Sequence, residues 1–256
     1  MDSLYGEDMV RKIFIVGHRG VPSLAPENTL PSFIKAIEYN IDFIELDLHF
    51  TRDKRIIVMH DFSVDRTTNG SGRISELSFD EIRKLDAGGW FSSRYKGVKV
   101  PEFEEVLNIA AGKIGLIIHI KEEGLEKPVV DLLEKYNIVN DSIVLSYPWN
   151  IIRKVRELNP YITTIADLPN PTREELFKAI SFHPNLVSIH KDKLDKRFVR
   201  LCHRRGILVN TWPINTIKDL EKSIKYEVDF ITSDFPHIML NNMPEFDINY
   251  NTRESD

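Results

Sequence analysis

Gly115-Leu116-Ile117-Ile118-His119-Ile120-Lys121 is a short apolar run that ends on a charge, and a helical pattern follows it at 124–136. The same unit recurs toward the C-terminus. Strand-like runs lie near 142–146, 162–166, 186–189, 207–211 and 229–232, with helical patterns near 150–158, 172–180, 195–205, 217–226 and 235–241. Toward the N-terminus, 13–17 and 42–48 read as strands. Between them 29–40 has helical spacing, with Leu30, Phe33, Ile34 and Ile37 on one face. Strand and helix in alternation predict a parallel sheet. A further strand at 56–60 leads into a polar, glycine-rich stretch from about 62 to 100, and 102–111 reads as helix. Without that extra strand the count is eight, which suits a closed TIM (β/α)8 barrel with a small insertion after His60. The expected organisation is one barrel domain over 1–256, the insertion occupying about 61–100. A doubly wound α/β sheet is the alternative.

The bulk composition limits the function. The chain has 256 residues, 42% of them hydrophobic, and a formal charge of −5. No lysine and arginine run forms a basic stripe, so nucleic acid is not an expected partner. No apolar stretch approaches the roughly 20 residues of a membrane span. The first eight residues are acidic and lack the apolar centre of a signal peptide. Cys202 is the one cysteine, which rules out an internal disulfide framework and fits a reducing compartment. A soluble, cytoplasmic protein is expected. Its tail after Pro244 is polar and reads as frayed.

Barrel active sites lie at the C-terminal ends of the strands. His18, Asp47, Lys121, Ser146, Trp212 and Asp234 all fall at or just beyond such ends. Glu45 and Asp47 are two apart on a strand and share a face, while Ile44, Leu46 and Leu48 take the other. Two like charges aimed into a barrel mouth need compensation, and oxygen ligands favour Mg2+ or Ca2+. Arg19 offers a planar fork for phosphate oxygens, and Gly20 frees the backbone to turn. His18 and His60 together supply what acid–base cleavage needs: one deprotonates a nucleophile and the other protonates the leaving group. Asp61 either orients a neighbour or begins a turn. Asn28 or Thr29 suits a helix N-cap. His119 and Lys121 share a face, and Lys121 can meet phosphate as a point charge. Trp212 shares a face with Asn210 and suits a pocket wall and an ordinary core position equally. No Walker-type loop or GxGxxG competes.

Taken in combination, Gly17-His18-Arg19-Gly20, Pro26-Glu27-Asn28-Thr29-Leu30, Ile44-Glu45-Leu46-Asp47, His60-Asp61, Asp65-Arg66-Thr67-Thr68-Asn69-Gly70, Leu85-Asp86-Ala87-Gly88, Ile120-Lys121, Thr211-Trp212-Pro213-Ile214-Asn215 and Thr232-Ser233-Asp234-Phe235-Pro236 are specific. The chain resembles the glycerophosphodiester phosphodiesterase family from 16 to 236. The resemblance implies a TIM barrel and metal-dependent hydrolysis of small-molecule glycerophosphodiesters to glycerol phosphate and an alcohol. It implies His18 and His60 as the acid–base pair, Glu45 and Asp47 as metal ligands, and Arg19 and Lys121 as phosphate contacts. The family usually carries glutamate two residues before this lysine, as a further metal ligand; here the residue is His119. A neutral imidazole still ligates but removes a negative charge. That favours Mn2+, Co2+ or Zn2+ relative to Mg2+ or Ca2+.

Two rivals follow from the same residues. One is a lysophospholipase D-like enzyme acting on lipid head groups, for which an apolar lid containing Trp90, Phe91 and Tyr95 would speak. The other is a weakly active or non-catalytic phosphoester-binding relative whose metal site is altered by His119. Head-group preference, the physiological metal, the acid and base assignment of the histidines, and the oligomeric state are not encoded in any of these motifs.

Overall fold

The protein is described here by a computed structural model covering residues 13–244. The acidic N-terminal residues and the polar tail after Pro244, both read above, lie outside the described residues. Nine strands are present among those described: β1 (Phe14–Gly17), β2 (Phe43–Phe50), β3 (Ile56–Val58), β4 (Gly115–Ile120), β5 (Ser142–Ser146), β6 (Thr163–Asp167), β7 (Leu186–His190), β8 (Leu208–Trp212) and β9 (Phe230–Ser233). The helices are α1 (Leu30–Glu38), α2 (Phe79–Lys84), α3 (Phe103–Ala110), α4 (Glu126–Lys135), α5 (Asn150–Leu158), α6 (Arg173–Ile180), α7 (Lys196–His203), α8 (Ile217–Lys225) and α9 (Pro236–Asn241).

Eight of the strands run parallel in the order β1-β9-β8-β7-β6-β5-β4-β2, and β1 pairs with β2 to close the ring. Closure decides for a TIM barrel over an open, doubly wound sheet. β3 stands outside the ring, antiparallel to β2, with Leu48 opposite Val58. Alternation along each strand builds two apolar layers. Val16, Ile117, Ile143, Leu145, Ile165, Leu186 and Phe230 fill the barrel. Ile44, Leu46 and Leu48 turn outward with Ile118 and Ile120 and are covered by the helices. This leaves Glu45 and Asp47 facing the barrel mouth.

Two local readings change. The buried side of α1 consists of Ser32, Phe33 and Ala36 with Leu30 and Ile37 at its edge, while Ile34 is exposed. Thr29 does occupy the N-cap position of α1, but its hydroxyl donates to the Pro26 carbonyl at 2.6 Å rather than capping the helix. The insertion also has more order than its polar composition suggests. It contains α2, whose N-cap Ser78 forms a reciprocal capping box with Glu81. Beneath it lies a small core of Ile57, Met59, Val64, Ile74, Ile82, Ala87 and Val100. Ser-x-x-Glu before an apolar residue was the available signal.

Candidate active site

A cavity of about 160 Å³ opens at the C-terminal ends of the strands. Its lining contains His18, Arg19, Glu45, Asp47, His60, His119, Lys121 and Trp212, whereas Ser146, Asp234 and Asp61, also picked out in the sequence, do not line it. Chain positions up to 194 residues apart are thus brought together by the barrel strands and the loops that follow them. A wider recess of about 490 Å³ beside Tyr147 and Lys178 has carboxylates in Glu174 and Glu175 but no histidine among its lining residues.

The turn after β1 is held by glycine. Gly20 has φ +92°, and a Cβ there would lie 2.8 Å from the Ser32 backbone carbon. Arg19 itself is left-handed, at φ 55°. This places the Arg19 amide 3.1 Å from Glu45 Oε2 and its guanidinium Nη1 2.8 Å from Glu27 Oε1. Glu27 also accepts from Arg66, so the segment 26–29 steers Arg19 instead of only starting a helix. Asn28, again left-handed at φ 54°, donates its amide to Asp47 Oδ2 at 2.9 Å.

Each of the two histidines is gripped at Nδ1 by a carboxylate, leaving Nε2 for the cavity. His18 Nδ1 lies 2.6 Å from Asp234 Oδ1, and Asn215 donates to the other Asp234 oxygen at 2.6 Å. His60 Nδ1 lies 2.6 Å from Asp61 Oδ1, and Arg66 in turn donates to Asp61. Asp61 therefore orients a neighbour. The two rings differ in charge preference. Burial works against the charged form of His18, but the Asp234 hydrogen bond and the charge of Glu45 outweigh it and raise the pKa. For His60 burial prevails, aided by the Lys121 charge, and the pKa falls below the usual histidine value.

Glu45, Asp47 and His119 offer ligand atoms within 4.8 Å of one another. His119 Nδ1 is 3.3 Å from Asp47 Oδ1 and 3.9 Å from Glu45 Oε1. Both carboxylates are almost fully buried. Burial and the neighbouring Asp47 charge push Glu45 up to about 7. Asp47 goes the other way: burial opposes its charge, but His119 and Lys121, whose Nζ is 3.0 Å away, hold it well below the carboxylate range. Two buried carboxylates forced apart in this way are what a divalent cation would reconcile. The donor set therefore fits a metal ion, and with one imidazole it fits a borderline metal better than three carboxylates would.

Several residues in the cavity or behind it escaped the sequence. His49, buried at the end of β2, has Nε2 3.2 Å from the His60 carbonyl oxygen and packs against the Phe62 ring. The strand was read as ending at 48, which hid it. Asp167, Ser188 and Thr232 line the cavity opposite the Glu45 cluster, on β6, β7 and β9. Asp167 lay one residue beyond its expected strand. Trp90, Phe91 and Tyr95 do form an edge-to-face aromatic group, but none of them lines the cavity.

Comparison with known proteins agrees with this geometry. Residues 18–238 match the model of the glycerophosphoryl diester phosphodiesterase family. The chain belongs to that family. A relative from Bacillus subtilis, YhdW, is 35% identical over 236 residues, covering 89% of this chain and 97% of its own length. The glycerophosphodiester phosphodiesterase of Caldanaerobacter subterraneus is 32% identical over 241 residues, covering 90% and 97%. Among solved structures, the glycerophosphodiester phosphodiesterase of Agrobacterium tumefaciens superposes with a TM-score of 0.80 at 27% identity, over 90% of this chain and 100% of that one. An Oleispira antarctica phosphodiesterase, solved with the product sn-glycerol-3-phosphate, gives 0.84 at 24% identity, over 89% and 95%.

Proposed function

We propose that this chain hydrolyses glycerophosphodiesters to glycerol phosphate and an alcohol, with His18 and His60 as its proton-transfer pair. The observation that carries the reading is the matched pair of imidazoles in one cavity, each fixed at Nδ1 by a carboxylate at 2.6 Å. His60, biased toward its neutral form, takes a proton from the nucleophile: water, or a hydroxyl of the substrate, in which case the cyclic phosphate formed is opened by water in a second step. His18, biased toward its charged form, gives one to the departing alcohol. Arg19 and Lys121 bring positive charge to the phosphate. Trp212 walls the pocket.

Glu45, Asp47 and His119 would hold a divalent cation, which supplies charge neutralisation at the phosphate oxygens. Mn2+, Co2+ or Zn2+ suit this donor set relatively better than Mg2+ or Ca2+. The aromatic group of the insertion stands away from the cavity, so a small, water-soluble diester is favoured over a lipid head group. Among the described residues no helix is long and apolar enough to cross a membrane. The buried free thiol of Cys202 supports a reducing, cytoplasmic setting.

The test is an enzyme-coupled measurement of glycerol phosphate released from glycerophosphocholine, with divalent ions and after exhaustive chelation. Release by the wild type, cut by roughly 10²- to 10⁴-fold in His18→Ala and His60→Ala, is the expected result. Equal release by either variant removes that histidine from the mechanism.

A further inference from the structure

The cavity has two unlike walls. One carries the Glu45, Asp47 and His119 cluster with its cationic neighbours. The other is a directed chain of neutral donors that ends on Asp167. Thr232 Oγ1 donates to Asn210 Oδ1 at 3.0 Å, and Asn210 Nδ2 donates to Ser188 Oγ at 3.1 Å. The Ser188 hydroxyl, having accepted, is free to donate onward. Ser188 pairs with Asp167 in the β6–β7 register, and its hydroxyl and the Trp212 indole N–H are neutral donors near the Asp167 carboxylate. No lysine, arginine or histidine makes an ion pair with Asp167 among the described residues. Two neutral donors leave a carboxylate with unused acceptor sites, since it can take about four. Asp167 lines the cavity, so those sites face the space a ligand occupies. Burial pushes its pKa up to about 6, as befits an acceptor short of partners.

We propose that Asp167 reads a hydroxyl of the glycerol moiety and so sets preference for glycerol over less hydroxylated diesters. The inference rests on the hydrolytic reading above and adds a specificity-determining residue to it. A hydroxyl fits this wall better than the quaternary ammonium of choline. A quaternary ammonium has no N–H to give a carboxylate and is recognised by cages of aromatic faces. Trp212 is the one tryptophan, tyrosine or phenylalanine among the lining residues, and Lys121 and Arg19 share the cavity and repel a cation. Ser188 and Asn210, by contrast, extend the same wall with further hydroxyl partners.

The experiment uses two matched choline diesters, one of glycerol and one of propane-1,2-diol, which lacks the terminal hydroxyl. The corresponding phosphates serve as binding probes by calorimetry. The wild type is expected to favour the glycerol diester by roughly 10- to 100-fold in kcat/KM, as for a hydrogen bond to a charged group. Asp167→Ala should lose that preference by slowing on the glycerol diester alone. Asp167→Asn, which keeps the side-chain shape and the fold, should lose part of it with unchanged thermal stability. Equal losses on both diesters overturn the proposal, as does a loss that follows the choline charge when 3,3-dimethylbutanol replaces choline. If the wild type turns over neither diester, the hydrolytic reading falls instead. Affinities for glycerol phosphate and propanediol phosphate then judge Asp167 separately, and equal affinities overturn its role.

Discussion

His18 and His60 are held alike but biased oppositely, and single substitutions separate the two biases. His18→Ala and His60→Ala are each expected to cut kcat by roughly 10²- to 10⁴-fold, the usual worth of a positioned acid or base. Circular dichroism should show the fold intact. Asp234→Asn tests the tuning rather than the presence of His18. The Asp234 hydrogen bond raises the His18 pKa against burial. As the acid, His18 works protonated, so rate falls as pH rises through its pKa. Removing the carboxylate lowers that pKa and moves the alkaline limb of the kcat profile to lower pH. An unmoved limb assigns it to another group. His119→Glu addresses the metal wall: it restores a third carboxylate beside Glu45 and Asp47. Half-saturation by Mg2+ or Ca2+ should then fall, and any preference for Mn2+, Co2+ or Zn2+ should weaken, with catalysis retained. Identical metal titrations for the two proteins would place His119 away from the ion.

At the scale of elements, one turn and one helix carry more than their composition suggests. The β1 turn needs Gly20, because φ is +92° and a Cβ there meets Ser32. Gly20→Ala should therefore displace Arg19 and His18, lowering activity and stability together. α2 offers the contrast. Ser78→Ala removes its cap and should cost about 1 kcal/mol, or roughly 2–4 °C in Tm, with kcat unchanged. A parallel fall in kcat would mean the insertion supports the site. The barrel strands were legible because their apolar runs are fully buried on both faces and end on charged or polar residues. α2 was not, because six residues with one buried apolar side chain, Ile82, leave no periodic trace. Ile34 misled for the opposite reason: it has the right type for the buried face of α1 but sits at its rim, where Ala36 does the packing.

At the scale of the molecule, ring closure converts sequence order into a site. His18 and His60 were legible because each follows a strand end, and Glu45 and Asp47 because they alternate onto one face of β2, all beside other chemistry-bearing residues. Asp167 and His49 were not, since each needs the true strand end and the partner across the barrel to be noticed. Asp234 was placed at a strand end but its partner, 216 positions away, exists only in the closed ring. The single measurement that bears most directly on the whole account is glycerol phosphate release from glycerophosphocholine by purified protein, before and after chelation. The account predicts release that stops when divalent ions are removed, returns when they are restored, and is lost in the Glu45→Gln, Asp47→Asn double variant. Undiminished release after exhaustive chelation, or from that double variant, contradicts it.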